Sequence, residues 1–191
     1  MNLISEMENY ARENYVPIAR KDNIEYLKKI IKEEGLFEIL ELGTAIGYSA
    51  ICMASVSDKV RITTIERNEE LYNEAVKNVK EANMENKINL IFDDIFNVDL
   101  SNKKYDLIFI DAAKAQYIKF FEKFSPLLKE NGVIISDNIE LLDLQRLTDS
   151  KRSKRLIEKM QNYKKYLLDL EGYKTEFLDI GDGFAITRKN N

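Results

Sequence analysis

Short apolar runs alternate with amphipathic helical patterns along most of this sequence, and that alternation restricts the fold more than any other feature. Runs typical of buried strands occupy residues 37–43, 60–66, 88–92, 105–110 and 132–136. Helical patterns lie between them at residues 48–56, 68–83 and 114–129. Such a pattern predicts an α/β fold, in which a doubly wound, mostly parallel sheet carries helices on both faces.

The two ends of the chain add helices and a hairpin to this sheet. Helices are predicted over residues 2–14 and 21–34, where Gly35 ends the second helix. A charged helix is predicted over about 150–170, followed by two strands around a Gly-Asp-Gly turn. The sequence therefore predicts one domain with seven strands, the C-terminal one antiparallel, and a helical extension over residues 1–35 before the sheet of residues 36–191.

The composition excludes several kinds of chemistry. The 191 residues include no histidine, which rules out a histidine base and the usual histidine-rich zinc sites. The single Cys52 lies among apolar neighbours and is interpreted as a small buried hydrophobe. No apolar stretch is long enough to span a membrane and the N-terminus lacks a signal pattern, so a cytoplasmic protein without a membrane partner is expected.

A glycine-containing segment, Glu41 to Ser49, follows the first predicted strand. Gly43 and Gly47 are spaced G-x-x-x-G, which differs from the G-x-G-x-x-G that brings a backbone close to a diphosphate. Glu66 closes the second strand, 23 residues after Gly43, where a carboxylate can bind a ribose diol. With Asp94 after the third strand, this order predicts a nucleoside cofactor without a diphosphate. Alternatively, the glycines only allow close packing, and the acidic residues serve turns and caps.

A second group of polar residues follows the fourth and fifth predicted strands. Asp111 ends one strand, and Asp137 with Asn138 ends the other. Neighbouring strands lie about 4.8 Å apart, so two carboxylates and an amide can share Mg²⁺, or Mn²⁺ in its place. Lys114 follows closely and is a candidate general base beside such a cation. The alternative is that Asp111 caps a helix, the SDN segment forms a turn and Lys114 is a solvated charge.

The motifs ELGTAIGYSA, TIERNEE, FIDAAKAQY, SDN and GDGFAIT together resemble the class I S-adenosylmethionine-dependent O-methyltransferases of the catechol O-methyltransferase type. Within that family, NYARENYVPIAR, FIDAAKAQY and the tail LDLEGYKTEFLDIGDGFAIT look similar to the bacterial tRNA 5-hydroxyuridine methyltransferases. The resemblance implies a Rossmann-like methyltransferase fold and transfer of a methyl group to a hydroxyl oxygen. The implied acceptor is 5-hydroxyuridine at the tRNA wobble position, with a small catechol-like acceptor as the alternative.

The resemblance also implies roles for individual residues. Mg²⁺ would be held by Asp111, Asp137 and Asn138, and Lys114 and Asp111 would be catalytic. The implied contacts of the S-adenosylmethionine cofactor are Ala19, Glu41, Gly43, Ser49, Glu66, Asp94, Ile95 and Asp111. The resemblance also implies a homodimer, with the N-terminal helices as candidate contacts.

A basic cluster, KRSKR at residues 151–155, offers a surface for RNA phosphates. Lys159, Lys164 and Lys165 continue it, while Arg12, Arg20 and Lys21 add charge near the N-terminus. The net charge of −4 gives no overall attraction to nucleic acid, so any RNA contact must be local. Equally, a charged helix is often only a solvated face.

Overall fold

The computed structural model of the protein describes residues 2–140 and 151–190. The described chain falls into two compact units, the first ending at Leu100 and the second beginning at Ser101. Both combine sheet and helices. None of the described helices is long and apolar enough to cross a membrane.

The first unit contains three parallel strands and four helices. In chain order they are α1 (Leu3–Glu13), α2 (Lys21–Glu34), β1 (Glu38–Leu42), α3 (Tyr48–Ala54), β2 (Arg61–Glu66), α4 (Glu69–Glu81) and β3 (Ile88–Phe92). The strands lie in the order β3-β2-β1, and the register pairs Leu42 with Ile65 and Glu66 with Phe92. The carboxyl ends of the three strands therefore meet at one edge of this unit.

Local signals in the sequence explain where these helices begin and end. Gly35 takes a left-handed backbone with a φ of 68° directly after α2, as its helix-ending role predicts. Asn68 caps α4, since its side chain accepts a hydrogen bond from the Leu71 amide at 3.0 Å. Ala75 and Val79 are buried on the predicted inner face of α4.

Within its described residues, the second unit contains four strands and two α-helices. Its elements are β4 (Tyr105–Ile110), a 3-10 turn (Lys114–Gln116), α5 (Tyr117–Phe124), a second 3-10 turn (Ser125–Leu127), β5 (Leu128–Ser136), α6 (Lys151–Asp169), β6 (Tyr173–Leu178) and β7 (Phe184–Lys189). The strands lie in the order β4-β5-β7-β6. β4 and β5 are parallel, whereas β7 runs antiparallel to both β5 and β6.

The predicted fold class is confirmed, because the strands of the described residues number seven, are mostly parallel and include the antiparallel C-terminal strand. The prediction of one helix over residues 114–129 is wrong. Lys114 begins a 3-10 turn, and α5 ends at Phe124 just before Pro126, whose ring is incompatible with a helix interior. The predicted start of the charged helix at residue 150 lies outside the described part of the chain.

We expect Gly183→Ala to destabilise the fold more than the matched variant Gly172→Ala. Both glycines have positive φ, 85° and 80°, which costs about 1 to 2 kcal/mol for a residue with a Cβ. A Cβ on Gly183 would also lie 2.6 Å from Glu140 Cγ, whereas nothing lies within 4 Å of one on Gly172. Overpacking of this kind costs about 1 to 3 kcal/mol more. Urea unfolding measures the free energy of unfolding of each variant, and equal losses in the two would contradict this packing at Gly183.

Candidate active site

The segment between β1 and α3 is held tightly against β2. The amides of Gly43 and Thr44 both donate to the Ile65 carbonyl at 3.2 Å. Three residues of this segment have a left-handed backbone, with φ values of 102° at Gly43, 46° at Ala45 and 84° at Gly47. A Cβ on Gly47 would lie 3.5 Å from that of Ala75, so packing against α4 is also close.

Glu66 lies at the end of β2, as the sequence predicted, and it contacts this glycine segment. One carboxylate oxygen accepts from the Ala45 amide at 2.9 Å. The other accepts from the amides of Arg67 and Asn68 at 2.9 and 2.8 Å. A carboxylate has about four acceptor positions, so Glu66 keeps capacity for a ribose hydroxyl while also organising the turn. Both interpretations of this residue are thus compatible with its contacts.

A buried carboxylate underlies the same segment. Glu41 is fully buried and accepts hydrogen bonds at 2.5 Å from the hydroxyls of Ser49 and Thr64. Thr64 also shares a hydrogen bond of 2.6 Å with Thr44. Since the Ser49 proton is donated to Glu41, its oxygen is left as an acceptor suited to an ammonium group. Sequence reasoning missed both threonines: strand alternation does not distinguish the buried Thr64 from an apolar residue, and Thr44 lies after β1 in the glycine segment, where no alternation applies.

The predicted adenine contacts lie in the turn after β3. Asp94 pairs with Arg67 Nη1 at 3.0 Å and accepts from the Phe96 amide at 2.9 Å. These contacts match the alternative in which Asp94 is a turn residue, and its role toward adenine stays a prediction. Ile95 beside it is half-buried, and Ala19 is buried.

The second unit brings together the three predicted oxygen ligands. The register pairs Ile110 with Ser136, so Asp111 and Asp137 each follow a paired residue. The Asp137 amide extends the pairing, donating to the Ile110 carbonyl at 3.0 Å. Asn138 has a φ of 58°, a left-handed backbone that asparagine tolerates, and its Nδ2 donates to Asp111 Oδ1 at 3.3 Å. Asp111, Asp137 and Asn138 therefore converge at the ends of β4 and β5.

The electrostatics of this group favour a bound cation. Desolvation raises the pKa of the Asp111 carboxyl above its usual value, opposed by the charge of Lys114 and the hydrogen bond from Asn138. Asp111 is half-buried, and Asp137 is fully buried. Two poorly solvated carboxylates at neighbouring strand ends are stabilised when a positive charge joins them.

One spacing in this donor set, between Asp111 and Asn138, is close to that of neighbouring ligands on a hard divalent ion. Rotation of the Asn138 side-chain amide exchanges its oxygen and its nitrogen. After that rotation Oδ1 would lie where Nδ2 is observed, 3.3 Å from Asp111 Oδ1. Adjacent ligands of an octahedral Mg²⁺ lie about 2.9 Å apart, since each is about 2.0 to 2.1 Å from the ion. Among the described residues no cluster of three or more His, Cys, Asp and Glu is found, and this set has only two carboxylates.

A cavity of about 690 Å³ lies beside the segment that carries Lys114. Alanines 112, 113 and 115 line one side, and α6 supplies Lys151, Arg155 and Lys159 on the other. Lys159 Nζ also reaches the Ala115 carbonyl at 3.5 Å. Part of the predicted basic cluster therefore faces this cavity, whereas Lys164 pairs with Glu140 and Lys21 with Glu8.

Comparisons with known proteins identify the family. The sequence model of the O-methyltransferase family matches residues 2–190, so the chain belongs to that family, as its motifs predicted. A Staphylococcus aureus crystal structure, provisionally named a caffeoyl-CoA O-methyltransferase, has a TM-score of 0.90 at 38% identity, covering 100% of this chain and 93% of that one. The family's methyl donor is S-adenosylmethionine, in agreement with the nucleoside cofactor predicted from Glu66 and the glycine spacing.

Two curated relatives are more distant. The caffeoyl-CoA O-methyltransferase of Stellaria longipes is 30% identical over 60% of this chain and 50% of its own length. The flavonoid 3',5'-methyltransferase of Vitis vinifera is 27% identical over 86% of this chain and 75% of its own. The chain spans about half the length of the first curated relatives that it matches, at 56% and 50%.

Proposed function

We propose that this protein transfers a methyl group from S-adenosylmethionine to a hydroxyl oxygen of a small hydroxylated aromatic acceptor, with the help of a divalent cation. The observation that carries the proposal is the convergence of Asp111, Asp137 and Asn138 beside Lys114 in a chain of the O-methyltransferase family. Relatives named for caffeoyl-CoA and flavonoid acceptors support an aromatic hydroxyl as the substrate group.

Residues of the first unit would bind the methyl donor. Glu66 would accept hydrogen bonds from the ribose hydroxyls with its remaining acceptor capacity. Ser49 would accept from the ammonium of the methionine end, since its own proton goes to Glu41. Ala19, Gly43, Asp94 and Ile95 complete the proposed cofactor contacts of this unit.

Residues of the second unit would bind the cation and the acceptor. Asp111, Asp137 and Asn138 would hold Mg²⁺, or Mn²⁺, through their side-chain oxygens. A cation there would polarise the acceptor hydroxyl and lower its pKa. Lys114 interacts electrostatically with Asp111 and would stand beside the acceptor oxygen, as a base or as a positive charge that stabilises the oxyanion.

The cations of α6 favour a second candidate, the wobble 5-hydroxyuridine of tRNA. Lys151, Arg155 and Lys159 line the cavity next to Lys114, and Lys and Arg clusters of this kind bind phosphates. Coenzyme A thioesters also carry phosphates, so this surface alone is compatible with either acceptor. Dimer formation and a cytoplasmic location remain predictions.

A comparison of acceptors tests the proposal. Labelled methyl transfer from S-adenosylmethionine would be measured with catechol, with caffeoyl-CoA and with an anticodon stem-loop RNA that contains 5-hydroxyuridine. We expect one of the two small acceptors to have a kcat/KM at least about 10-fold above that of the RNA, a difference of about 1.4 kcal/mol. The opposite order would favour the tRNA candidate, and no transfer to any of the three would contradict both.

We expect Arg155→Gln to raise the KM of caffeoyl-CoA about 5- to 10-fold and to leave the KM of catechol unchanged. Charge-assisted hydrogen bonds to phosphate contribute about 1.5 to 3 kcal/mol, and the exposure of Arg155 reduces that value. Lys165→Gln is the matched control, since Lys165 is exposed on α6 but does not line the cavity. An equal effect of the two variants would show that only overall charge matters.

A further inference from the structure

Two buried tyrosine hydroxyls lie directly behind the segment that carries the proposed metal ligands. Tyr117, the first residue of α5, donates to the backbone carbonyl of Asp137 at 3.1 Å. Tyr163, from α6, shares a hydrogen bond of 2.6 Å with the hydroxyl of Ser136. Each side chain is 1% exposed. Consecutive residues at the end of β5 are thus held by hydroxyls from two different helices.

The two tyrosines also fix each other. Their rings meet edge to face, with centroids 5.4 Å apart and planes at 84°. Tyr166 stacks on Tyr163 at 6.5 Å and meets Phe121 of α5 edge to face. A tyrosine hydroxyl is protonated at ordinary pH, and desolvation raises the pKa of each of these two further above its usual value. They are therefore held as neutral groups in fixed orientations.

We propose that Tyr117 and Tyr163 are positioning residues for the divalent-cation site, which set the backbone from Ser136 to Asn138 so that the side chains of Asp137 and Asn138 face Asp111. The inference rests on the proposed function, since it needs a cation at these residues. Neither tyrosine is required to contact the cation or the acceptor. Removal of a group that orients a metal ligand typically lowers metal affinity or activity by about 10- to 100-fold.

The geometry of the ligand segment explains why such support is needed. Asn138 has a left-handed backbone, which is less favourable than an extended or helical one for any residue with a Cβ. The Asp137 carbonyl accepts from the buried Tyr117 hydroxyl, which fixes the orientation of the peptide between Asp137 and Asn138. Loss of the Tyr117 hydroxyl would remove this hydrogen bond from a buried carbonyl, which costs free energy. A rotation of the peptide would relieve that cost. Such a rotation changes the direction of the Asn138 side chain.

The test is the affinity for Mn²⁺, measured by titration calorimetry on the full chain without acceptor. We expect Tyr117→Phe to weaken Mn²⁺ binding about 10-fold. The double variant Tyr163→Phe/Ser136→Ala removes both partners of its hydrogen bond, which avoids an unsatisfied buried hydroxyl, and a smaller loss in the same direction is expected. Tyr166→Phe is the matched control on α6 and should leave Mn²⁺ affinity unchanged.

Thermal unfolding and S-adenosylmethionine binding of the same variants separate positioning from general destabilisation. Positioning predicts weaker Mn²⁺ binding while S-adenosylmethionine affinity stays within about 2-fold of the parent, about 0.4 kcal/mol. If the parent binds Mn²⁺ and Tyr117→Phe binds it equally well, the positioning role is wrong and the proposed function survives. If the parent binds no Mn²⁺, the cation site itself is wrong, and the inference falls with it.

Discussion

Replacing Asp137 with asparagine is expected to reduce kcat/KM for methyl transfer by at least about 1,000-fold. The substitution keeps the shape of the side chain but removes one of the two negative charges that would hold the divalent cation. Stabilisation of a developing oxyanion by a cation is worth several kcal/mol, and each 1.36 kcal/mol corresponds to a factor of ten. Steady-state kinetics at saturating S-adenosylmethionine and Mg²⁺ measures the loss.

The fold of Asp137→Asn should persist, because the substitution keeps an oxygen that can accept from the Asn138 amide, as Asp137 Oδ1 does at 2.5 Å. We expect its thermal midpoint to equal or exceed that of the parent, since a buried charge is removed. Asp106→Asn is the control: Asp106 lies on β4 and pairs with Lys129 at 2.9 Å, a surface ion pair of small energetic value. Similar losses in the two variants would refute a special role for Asp137.

Glu66→Gln is expected to raise the Kd for S-adenosylmethionine about 10- to 100-fold. Three backbone amides donate to the Glu66 carboxylate, and the proposed ribose hydroxyls would use its remaining acceptor capacity. Glutamine supplies a single acceptor oxygen and an amide group that repels N–H donors. Hydrogen bonds to a charged group are worth about 1.5 to 3 kcal/mol, which gives this range of affinity. Titration calorimetry with S-adenosylmethionine and with S-adenosylhomocysteine measures it.

The matched control is Glu69→Gln, three residues further along, where the side chain is exposed on the first turn of α4. It removes the same charge from the same neighbourhood and should leave S-adenosylmethionine affinity unchanged. Mn²⁺ affinity should be unchanged in both variants, since Glu66 is not one of the proposed cation ligands. Unaltered S-adenosylmethionine binding by Glu66→Gln would restrict Glu66 to its turn role.

The sequence predicted those features that depend on local pattern and on strand ends. Alternating apolar and amphipathic segments predicted the seven-stranded, mostly parallel sheet. Because parallel strands end at one edge, the positions of Asp111 and Asp137 after their strands predicted their proximity, and the observed pairing of Ile110 with Ser136 provides it. Likewise, the apolar run of residues 60–66 predicted that Glu66 ends the second strand, where its carboxylate accepts from the Ala45 amide.

Features that depend on tertiary packing could not be predicted from pattern. Tyr163 is far along the chain from Ser136, and only the packing of α6 brings the two hydroxyls together. Thr64 binds Glu41 from a neighbouring strand, although its position in β2 predicts only burial. The break of the helix near Pro126 carried a signal in the sequence, but the apolar periodicity of residues 114–129 outweighed it.

The proposed reaction depends most on the cation that Asp111, Asp137 and Asn138 would hold. The most direct test is the initial rate of methyl transfer from S-adenosylmethionine to the best acceptor, before and after treatment with excess EDTA and after the return of excess Mg²⁺. The expected result is a rate that falls at least about 100-fold with the chelator and recovers with Mg²⁺ or Mn²⁺. A full rate in excess chelator would contradict the account.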